Sequence, residues 1–225
     1  MNRLAVNDLF AARFLMLGLV ACVAAIPFVE HHSQFPPIWF SIGSITFASI
    51  GVAMATDRWR GLVILAVGMA AMVTLLVMEG ANSTNAHIAP GVMLAVAAIG
   101  ASYNIARAAL SKHTHGDARL YHGVSSYILI GMAFAMLHQR IDLLVPGSYL
   151  VEKGAERPMT GGWADYVWLS FSILTTSGFA IDVSPGNSMS RALCTAEGIT
   201  GVMFPAIFLA RMVSAASEEE EKGIS

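Results

Sequence analysis

The sequence predicts an all-α membrane protein with six transmembrane helices and one short re-entrant segment between the fifth and the sixth. Two observations predict this fold class. Of the 225 residues, 56% are hydrophobic and only 12% are charged, and the mean hydropathy is +0.63, whereas a water-soluble domain of this size needs more surface charge. The apolar residues also form long runs, and a spanning helix needs roughly 20 of them.

Six apolar runs approach or exceed that length. They lie at about 13–29, 38–56, 61–78, 89–110, 120–144 and 190–213. A further run at 162–176 is too short to cross a bilayer as a helix, and it follows a stretch at 145–161 that is rich in glycine, proline and charge. This length suits a re-entrant helix, which protein must surround because its open backbone groups cannot face lipid.

The charged residues divide the chain into three parts. Residues 1–115 are predicted to form a four-helix transmembrane domain. Its fourth apolar run contains a single arginine, Arg107, whereas a voltage sensor needs several regularly spaced arginines. Residues 116–214 contain the last two spans and the re-entrant segment. Residues 215–225 are predicted to be an acidic cytoplasmic tail.

Basic residues predict which side of the membrane each connection occupies. Lysine and arginine occur at the amino terminus, in the second and fourth loops and near the carboxyl terminus, at Arg3, Arg13, Arg58, Arg60, Lys112, Arg119, Arg211 and Lys222. The first and third loops carry none. The positive-inside rule therefore predicts that both termini of this multi-pass protein lie in the cytoplasm, and we expect its location to be the cell inner (plasma) membrane. The exceptions are Arg140, Lys153 and Arg157, in or beside the longer loop before the re-entrant segment.

Composition argues against several classes of function. The net charge of −2 and the scattered lysines and arginines give no basic face, so nucleic acid is not an expected partner. No Ser-His-Asp arrangement, phosphate-binding loop or metal-ligand spacing is visible in the sequence, so we expect neither an enzyme nor a cofactor. Cys22 and Cys194 lie in apolar runs, where a free thiol acts as a small hydrophobe.

Residues 165–182, DYVWLSFSILTTSGFAID, have the features of an ion pathway. A short aromatic-rich helix is followed by two threonines and a glycine. Backbone carbonyls can replace the water that a permeating cation loses. A loop that turns successive carbonyls toward one axis needs positive φ, which glycine reaches at least cost. The carboxyl end of the preceding helix adds partial negative charge, which favours a cation.

This segment resembles the pore of bacterial six-span potassium channels with a single pore loop. The residues that match the family pattern are Asp165, Ser170, Phe171, Leu174, Thr175, Thr176 and Gly178, and Phe179 conservatively replaces a tyrosine. The next span adds Pro185, Arg191, Ala192, Glu197, Gly198, Gly201, Ala210 and Arg211. The resemblance covers about 120–213 well and the first four spans by hydropathy alone.

The resemblance implies a homotetramer in membrane lipid that conducts K⁺ passively, because one pore loop cannot enclose an axis. The oxygens that coordinate K⁺ would come from the filter residues Thr175, Thr176, Ser177, Gly178, Phe179 and Ala180. Support of the filter is assigned to Trp168, Asp182 and Glu197. A gating hinge is predicted at Gly198, Gly201 and Pro205, because glycine and proline weaken a helix.

Three positions depart from the family pattern. Ala180 stands at the second filter glycine, where a Cβ in a left-handed conformation costs about 1–2 kcal/mol. Ser177 replaces the usual valine, and Asp182 lies one position later than the expected acid. We therefore expect weak selectivity for K⁺ over Na⁺, while the carbonyls and the Thr176 hydroxyl still favour cations over anions.

The support and hinge assignments each have a simpler alternative. Small residues such as Gly198 and Gly201 also allow helices in a membrane to pack closely. Glu197 can serve as a structural partner for a neighbouring helix, although an ionisable residue within a span is a functional candidate. Trp168 can be an anchor at the membrane interface, where tryptophan concentrates.

Two other functions remain open. One is a degenerate channel homologue that is non-selective or does not conduct. The other, from a different class, is a haem or small-molecule-binding membrane protein, which the chain's histidines would have to support. Haem needs facing histidines at membrane depth, and only His122 and His138 share a span, far apart along it. The remaining histidines, His31, His32, His87, His113 and His115, lie in loops.

Overall fold

The computed structural model describes residues 3–30, 58–78, 88–111, 114, 117–151, 163–180 and 183–224. These residues form six helices and two short strands. They are α1 (Arg3–Glu30), α2 (Arg58–Met78), α3 (Ile88–Ala109), α4 (Asp117–Leu144), β1 (Tyr149–Val151), α5 (Trp163–Leu174), β2 (Val183–Pro185) and α6 (Ser188–Ile224). The predicted second span at 38–56 lies outside the described residues, as do Asp182 and all the histidines except His122 and His138.

Three helical stretches of the described residues are long and apolar enough to cross a membrane. They are α3, α4 and residues 188–214 of α6. Shorter apolar stretches occur at Leu9–Ala25 in α1 and Leu62–Ala71 in α2. α5 has 12 residues, too few to cross. The helical, membrane-protein character of the chain is therefore confirmed, and the number of six spans stays a prediction.

Two strands of three residues each accompany the helices, and the all-α prediction did not include them. β1 and β2 pair antiparallel, with Tyr149 opposite Pro185 and Val151 opposite Val183. They join the end of α4 to the start of α6 across the loop that contains α5. Pro185 has no N–H to donate, and it takes a strand-end position that tolerates this loss. Ladders of three residues have too little periodic pattern to predict.

α3 and α4 form an antiparallel hairpin and have the most extensive contact between any two elements of the described chain. Ser102 and Ser126 join them reciprocally, since each hydroxyl donates to the other residue's carbonyl, at 3.0 and 2.7 Å. One apolar core links this hairpin to the first two helices. Its fully or almost fully buried residues are Leu15, Leu19, Ala71, Leu94, Ala97, Ala101, Ile105 and Leu129.

The connection between α3 and α4 is short and tied back to its helices. The Thr114 hydroxyl donates to the Ala108 carbonyl at 2.8 Å, and the Arg119 guanidinium donates to the Thr114 carbonyl at 2.5 Å. Arg119 is itself almost fully buried. α3, from the predicted four-helix domain, thus packs directly against α4, from the part predicted at 116–214, and the division between these two parts stays a prediction.

α6 begins at a reciprocal cap. The Asn187 side-chain oxygen accepts the Ser190 N–H at 2.9 Å, and the Ser190 hydroxyl accepts the Asn187 N–H at 3.2 Å. These bonds satisfy backbone donors that a helix start leaves open. The helix contains Pro205 and runs on to Ile224. The boundary predicted at 215 therefore does not mark the end of the helix.

Candidate functional site

α5 lies against α4 through a close approach at Gly131. A Cβ placed on Gly131 would lie 2.8 Å from the ring of Phe171, so only glycine leaves room for that ring. The Ser170 hydroxyl donates to the Gly131 carbonyl at 2.7 Å. A small residue on α4 and a hydroxyl on α5 together set the spacing of the two helices.

The carboxyl end of α5 is fixed from both sides at Leu174. The Tyr127 hydroxyl of α4 donates to the Leu174 carbonyl at 2.8 Å. On the other side lies Gly201 of α6, where an added Cβ would overlap the Leu174 backbone. The partial negative charge of this helix end therefore has a defined position next to the predicted filter residues.

The first predicted filter residues wind back onto α5. The N–H of Thr175 donates to the Phe171 carbonyl at 3.0 Å, and that of Ser177 donates to the Ser172 carbonyl at 3.1 Å. Between them, the Thr176 N–H also donates to a carbonyl of α5. Residues 175–177 thus form a turn that is hydrogen-bonded to the end of α5, whereas an extended conformation is expected of a filter strand.

The left-handed backbone in this segment falls at Thr176 and Gly178, with φ of 53° and 69°. Ala180 does not have positive φ. The expectation that its Cβ is strained in a left-handed conformation was therefore wrong. Its N–H instead donates to the Ser172 hydroxyl at 2.8 Å, and its side chain is buried. The strained residue is Thr176, whose branched side chain makes this conformation cost about 1–2 kcal/mol.

The segment that follows α5 is exposed in a single chain, apart from its last residue. Residues 175–179 are exposed and Ala180 is buried. Trp168, predicted to support the filter, stacks on Phe179 with ring centroids 5.8 Å apart. Trp168 therefore contacts the predicted filter segment at Phe179. Both rings are more than half exposed, so they pack against little else in their own chain.

Glu197 of α6 is completely buried, and it lies behind α5. One carboxyl oxygen is 2.7 Å from Nε2 of His138, and the other contacts the Ser170 hydroxyl. The second ring nitrogen of His138 contacts the Tyr149 hydroxyl. Burial raises the pKa of the Tyr149 phenol, so this group stays protonated at neutral pH.

Sequence reasoning identified Glu197 but missed its partner His138. A usable signal was present, because a buried acid at membrane depth needs a polar partner and His138 was one of the few ionisable residues in a neighbouring span. The arrangement also argues against haem at this site. Both ring nitrogens of His138 are engaged with Tyr149 and Glu197, so neither is free to bind a haem iron in this arrangement.

The three predicted hinge residues of α6 have different surroundings. Gly201 packs tightly against Leu174, whereas a Cβ on Gly198 would have only Ile173 nearby, at 3.9 Å. Pro205 cannot donate to the Gly201 carbonyl, and the Tyr127 hydroxyl lies 3.4 Å from that oxygen. Gly201 therefore has the close-packing role that was weighed as the alternative, and motion at these positions stays a prediction.

A second polar cluster, which the sequence did not suggest, fixes the opposite end of α5. The carboxylate of Asp142 accepts the Tyr166 hydroxyl at 2.6 Å and the Ser148 N–H at 3.1 Å. The Asn187 side chain donates to the Ser148 hydroxyl at 2.7 Å. These bonds connect the end of α4, the first turn of α5 and the cap of α6.

Comparison with known proteins supports one functional class. Residues 124–218 match the family model described as "Ion channel". The matched range begins in α4, includes α5 with the segment that follows it, and ends in α6. No curated protein and no solved structure matches the chain. The match and the apolar helices together support an ion-channel family and a transmembrane protein with a transport role.

Proposed function

We propose that the chain is a cation channel of the potassium-channel type that conducts K⁺ passively, with weak selectivity over Na⁺. The observation that carries this proposal is the segment after α5. It combines the carboxyl end of a fixed helix with two left-handed residues, Thr176 and Gly178. A helix end favours a cation nearby, and left-handed residues are what a loop needs to turn its carbonyls toward one axis.

A homotetramer follows from the proposal, because one segment cannot enclose a pathway. The exposed face of α6 supports it. Only 11% of the spanning window of α6 is buried within one chain, compared with 50% for α3. Ile199, Val202 and Ile207 are each more than half exposed. In the tetramer, neighbouring chains and lipid cover these side chains, and residues 175–180 of four copies meet at the axis.

The proposed orientation places both termini in the cytoplasm of a plasma-membrane protein. Arg13 of α1 lies 3.6 Å from the carboxylate of Asp117 and 5.3 Å from the ring of Tyr121, at the start of α4. The basic end of α1 and the connection before α4 are thus on one side, as the positive-inside rule requires of two cytoplasmic segments.

The test is ion flux through the purified protein in liposomes, with K⁺ or Na⁺ as the only permeant cation. We expect K⁺ flux in the wild type and its loss in Gly178→Ala, where a Cβ meets φ of 69°. Gly18→Ala in α1 is the matched control, because nothing lies within 4 Å of its added methyl group. Flux of K⁺ and Na⁺ at equal rates indicates a non-selective channel, and no flux of either ion overturns the proposal.

A further inference from the structure

Four polar side chains form a continuous chain of contacts behind α5. Tyr149 contacts His138, His138 contacts Glu197, and Glu197 contacts Ser170. The last hydroxyl also reaches the Gly131 carbonyl. The series joins β1, α4, α6 and α5, and the side chains of His138, Glu197 and Ser170 are completely buried. Their protons can therefore be assigned by counting donors and acceptors.

The count starts at Gly131, whose carbonyl can only accept. Ser170 has a single proton, and donating it at 2.7 Å to that carbonyl leaves none for Glu197. The contact between the Ser170 oxygen and the Glu197 carboxyl then needs a proton from the carboxyl group. The other carboxyl oxygen accepts the Nε2 proton of His138, and Nδ1 accepts the Tyr149 proton. Four hydrogen bonds use four protons, and no group is charged.

The ionised alternative does not satisfy the same contacts. A carboxylate at Glu197 opposite a protonated His138 leaves Ser170 with two acceptors, Glu197 and Gly131, and one proton to share. With both ring nitrogens of His138 protonated, Nδ1 donates to the Tyr149 oxygen, and the Tyr149 proton then loses the acceptor that Nδ1 provided. An unsatisfied group at a buried site costs about 1–3 kcal/mol, and burying two charges adds a further desolvation cost.

We propose that Glu197 is a neutral carboxylic acid that donates its proton to Ser170, and that His138 and Glu197 are the positioning residues that set the location of α5. Ser170 lies one turn before Leu174, the residue after which the segment 175–180 begins. A displacement of Ser170 therefore moves that segment. The effect on ion selectivity rests on the proposed function, whereas the protonation state and the placement of α5 do not.

The first experiment is infrared difference spectroscopy of the protein in lipid at neutral pH. The carbonyl stretch of a protonated carboxylic acid is separate from carboxylate bands. We expect such a band in the wild type and its absence in Glu197→Gln. Asp142→Asn is the control, since Asp142 accepts two hydrogen bonds as a carboxylate and its loss should leave the band in place. The neutral assignment is overturned if the wild-type spectrum has no such band, or if the band persists in Glu197→Gln.

The second experiment uses the amide of glutamine as a copy of the neutral acid. In Glu197→Gln the NH₂ group can donate to Ser170 while the oxygen accepts from His138, so the chain of bonds is preserved. In Glu197→Ala it is broken. Hydrogen exchange of the α5 amides should rise by about tenfold or more in Glu197→Ala, as one lost buried bond implies. Glu197→Gln should remain near the wild type.

Two outcomes of the exchange experiment contradict the proposal. If exchange rises equally in Glu197→Gln and Glu197→Ala, the negative charge is required and the neutral assignment fails. If exchange in Glu197→Ala stays at the wild-type rate, Glu197 does not position α5. If Glu197→Ala does not fold, Ser170→Ala, which leaves the His138–Glu197 contact in place, provides the same comparison.

Selectivity gives the third comparison. If the wild type conducts K⁺ with the weak selectivity proposed above, Glu197→Ala should lose that selectivity, so that K⁺ and Na⁺ fluxes become equal, whereas Glu197→Gln should keep it. A wild type that does not conduct contradicts the proposed function alone, because the infrared and exchange results do not depend on flux. A conducting Glu197→Ala with wild-type selectivity contradicts the positioning role alone.

Discussion

At the scale of single residues, backbone conformation separates Thr176 and Gly178 from Ala180. The first two have positive φ, and Ala180 has not. The resemblance placed the strain at Ala180 because a glycine is usual there. The structure places it four positions earlier, where the chain leaves α5, and anchors Ala180 through the Ser172 hydroxyl. The predicted filter segment is therefore strained at Thr176 and not at Ala180.

Ala180→Gly should therefore not stabilise the protein. Since φ at Ala180 is not positive, glycine offers no relief of strain, and its greater freedom in the unfolded chain should lower the free energy of unfolding by about 0.5–1 kcal/mol. Gly178→Ala should cost more, about 1–2 kcal/mol, because alanine would have to adopt a left-handed conformation. Thermal unfolding in detergent measures both, and a rise in stability for Ala180→Gly would contradict the conformation described above.

Some residues of the site could be identified from the sequence, and others could not. Gly178 and Glu197 were identified because a glycine in a short loop and an acid within a span are unusual on their own. His138 was not, because its contact with Glu197 joins residues 59 positions apart. Thr176 was recognised as a candidate ligand, but a branched residue gives no warning of positive φ, since its own preference is for extended structure.

At the scale of elements, α5 is positioned by glycines and hydroxyls on the helices beside it. Gly131 admits Phe171, and Gly201 admits the Leu174 backbone. Hydropathy predicted α3, α4 and the spanning part of α6 within a few residues, because long apolar runs are a strong signal. It did not predict β1 and β2, since strands of three residues depend on the chain ends that they join.

Gly201→Ala should destabilise the protein where Gly198→Ala does not. The added methyl group of Gly201→Ala overlaps the Leu174 backbone, which cannot move aside like a flexible side chain. Overpacking of this kind costs about 1–3 kcal/mol. At Gly198 the methyl group has space and alanine gains up to about 1 kcal/mol of helix propensity. Melting temperatures of the two variants in the same detergent provide the comparison, and equal values would contradict the close approach at Gly201.

Tyr127→Phe should loosen the carboxyl end of α5. The variant keeps the ring and removes the hydroxyl that donates to the Leu174 carbonyl at 2.8 Å, so we expect a loss of about 1 kcal/mol. Faster hydrogen exchange near residues 173–177 should accompany it. Tyr103→Phe removes an exposed phenol from α3 and serves as the control. Identical exchange in both variants would show that Tyr127 does not anchor the helix end.

At the scale of the whole molecule, the α3–α4 hairpin joins the amino-terminal helices to the part of the chain that matches the ion-channel family model. No long connecting helix separates the two, because α4 begins eight positions after α3 ends. One apolar core runs through α1, α2, α3 and α4. A change in the packing of the first helices therefore reaches α4 directly, and through Gly131 and Tyr127 it reaches α5.

The two serines of this hairpin should be coupled. Ser102 and Ser126 each donate to the other's carbonyl, and their hydroxyl oxygens are 2.7 Å apart. In a double-mutant cycle of Ser102→Ala and Ser126→Ala, we expect a coupling free energy of about 0.5–2 kcal/mol. Denaturation of the wild type, both single variants and the double variant measures it. Strictly additive losses would show that the serines act independently.

α6 has one more consequence, which comes from its length. Its 37 residues rise to about 55 Å at about 1.5 Å per residue, while a bilayer's hydrocarbon core is about 30 Å thick. The helix is therefore longer than the hydrocarbon core is thick. Its capped end is joined to the strands beside the filter segment, Glu197 lies within it, and its acid-rich end extends well past the apolar part. A force on that far end would therefore act on Glu197, and through it on the back of α5, along one continuous helix, while bending at Pro205 stays a prediction.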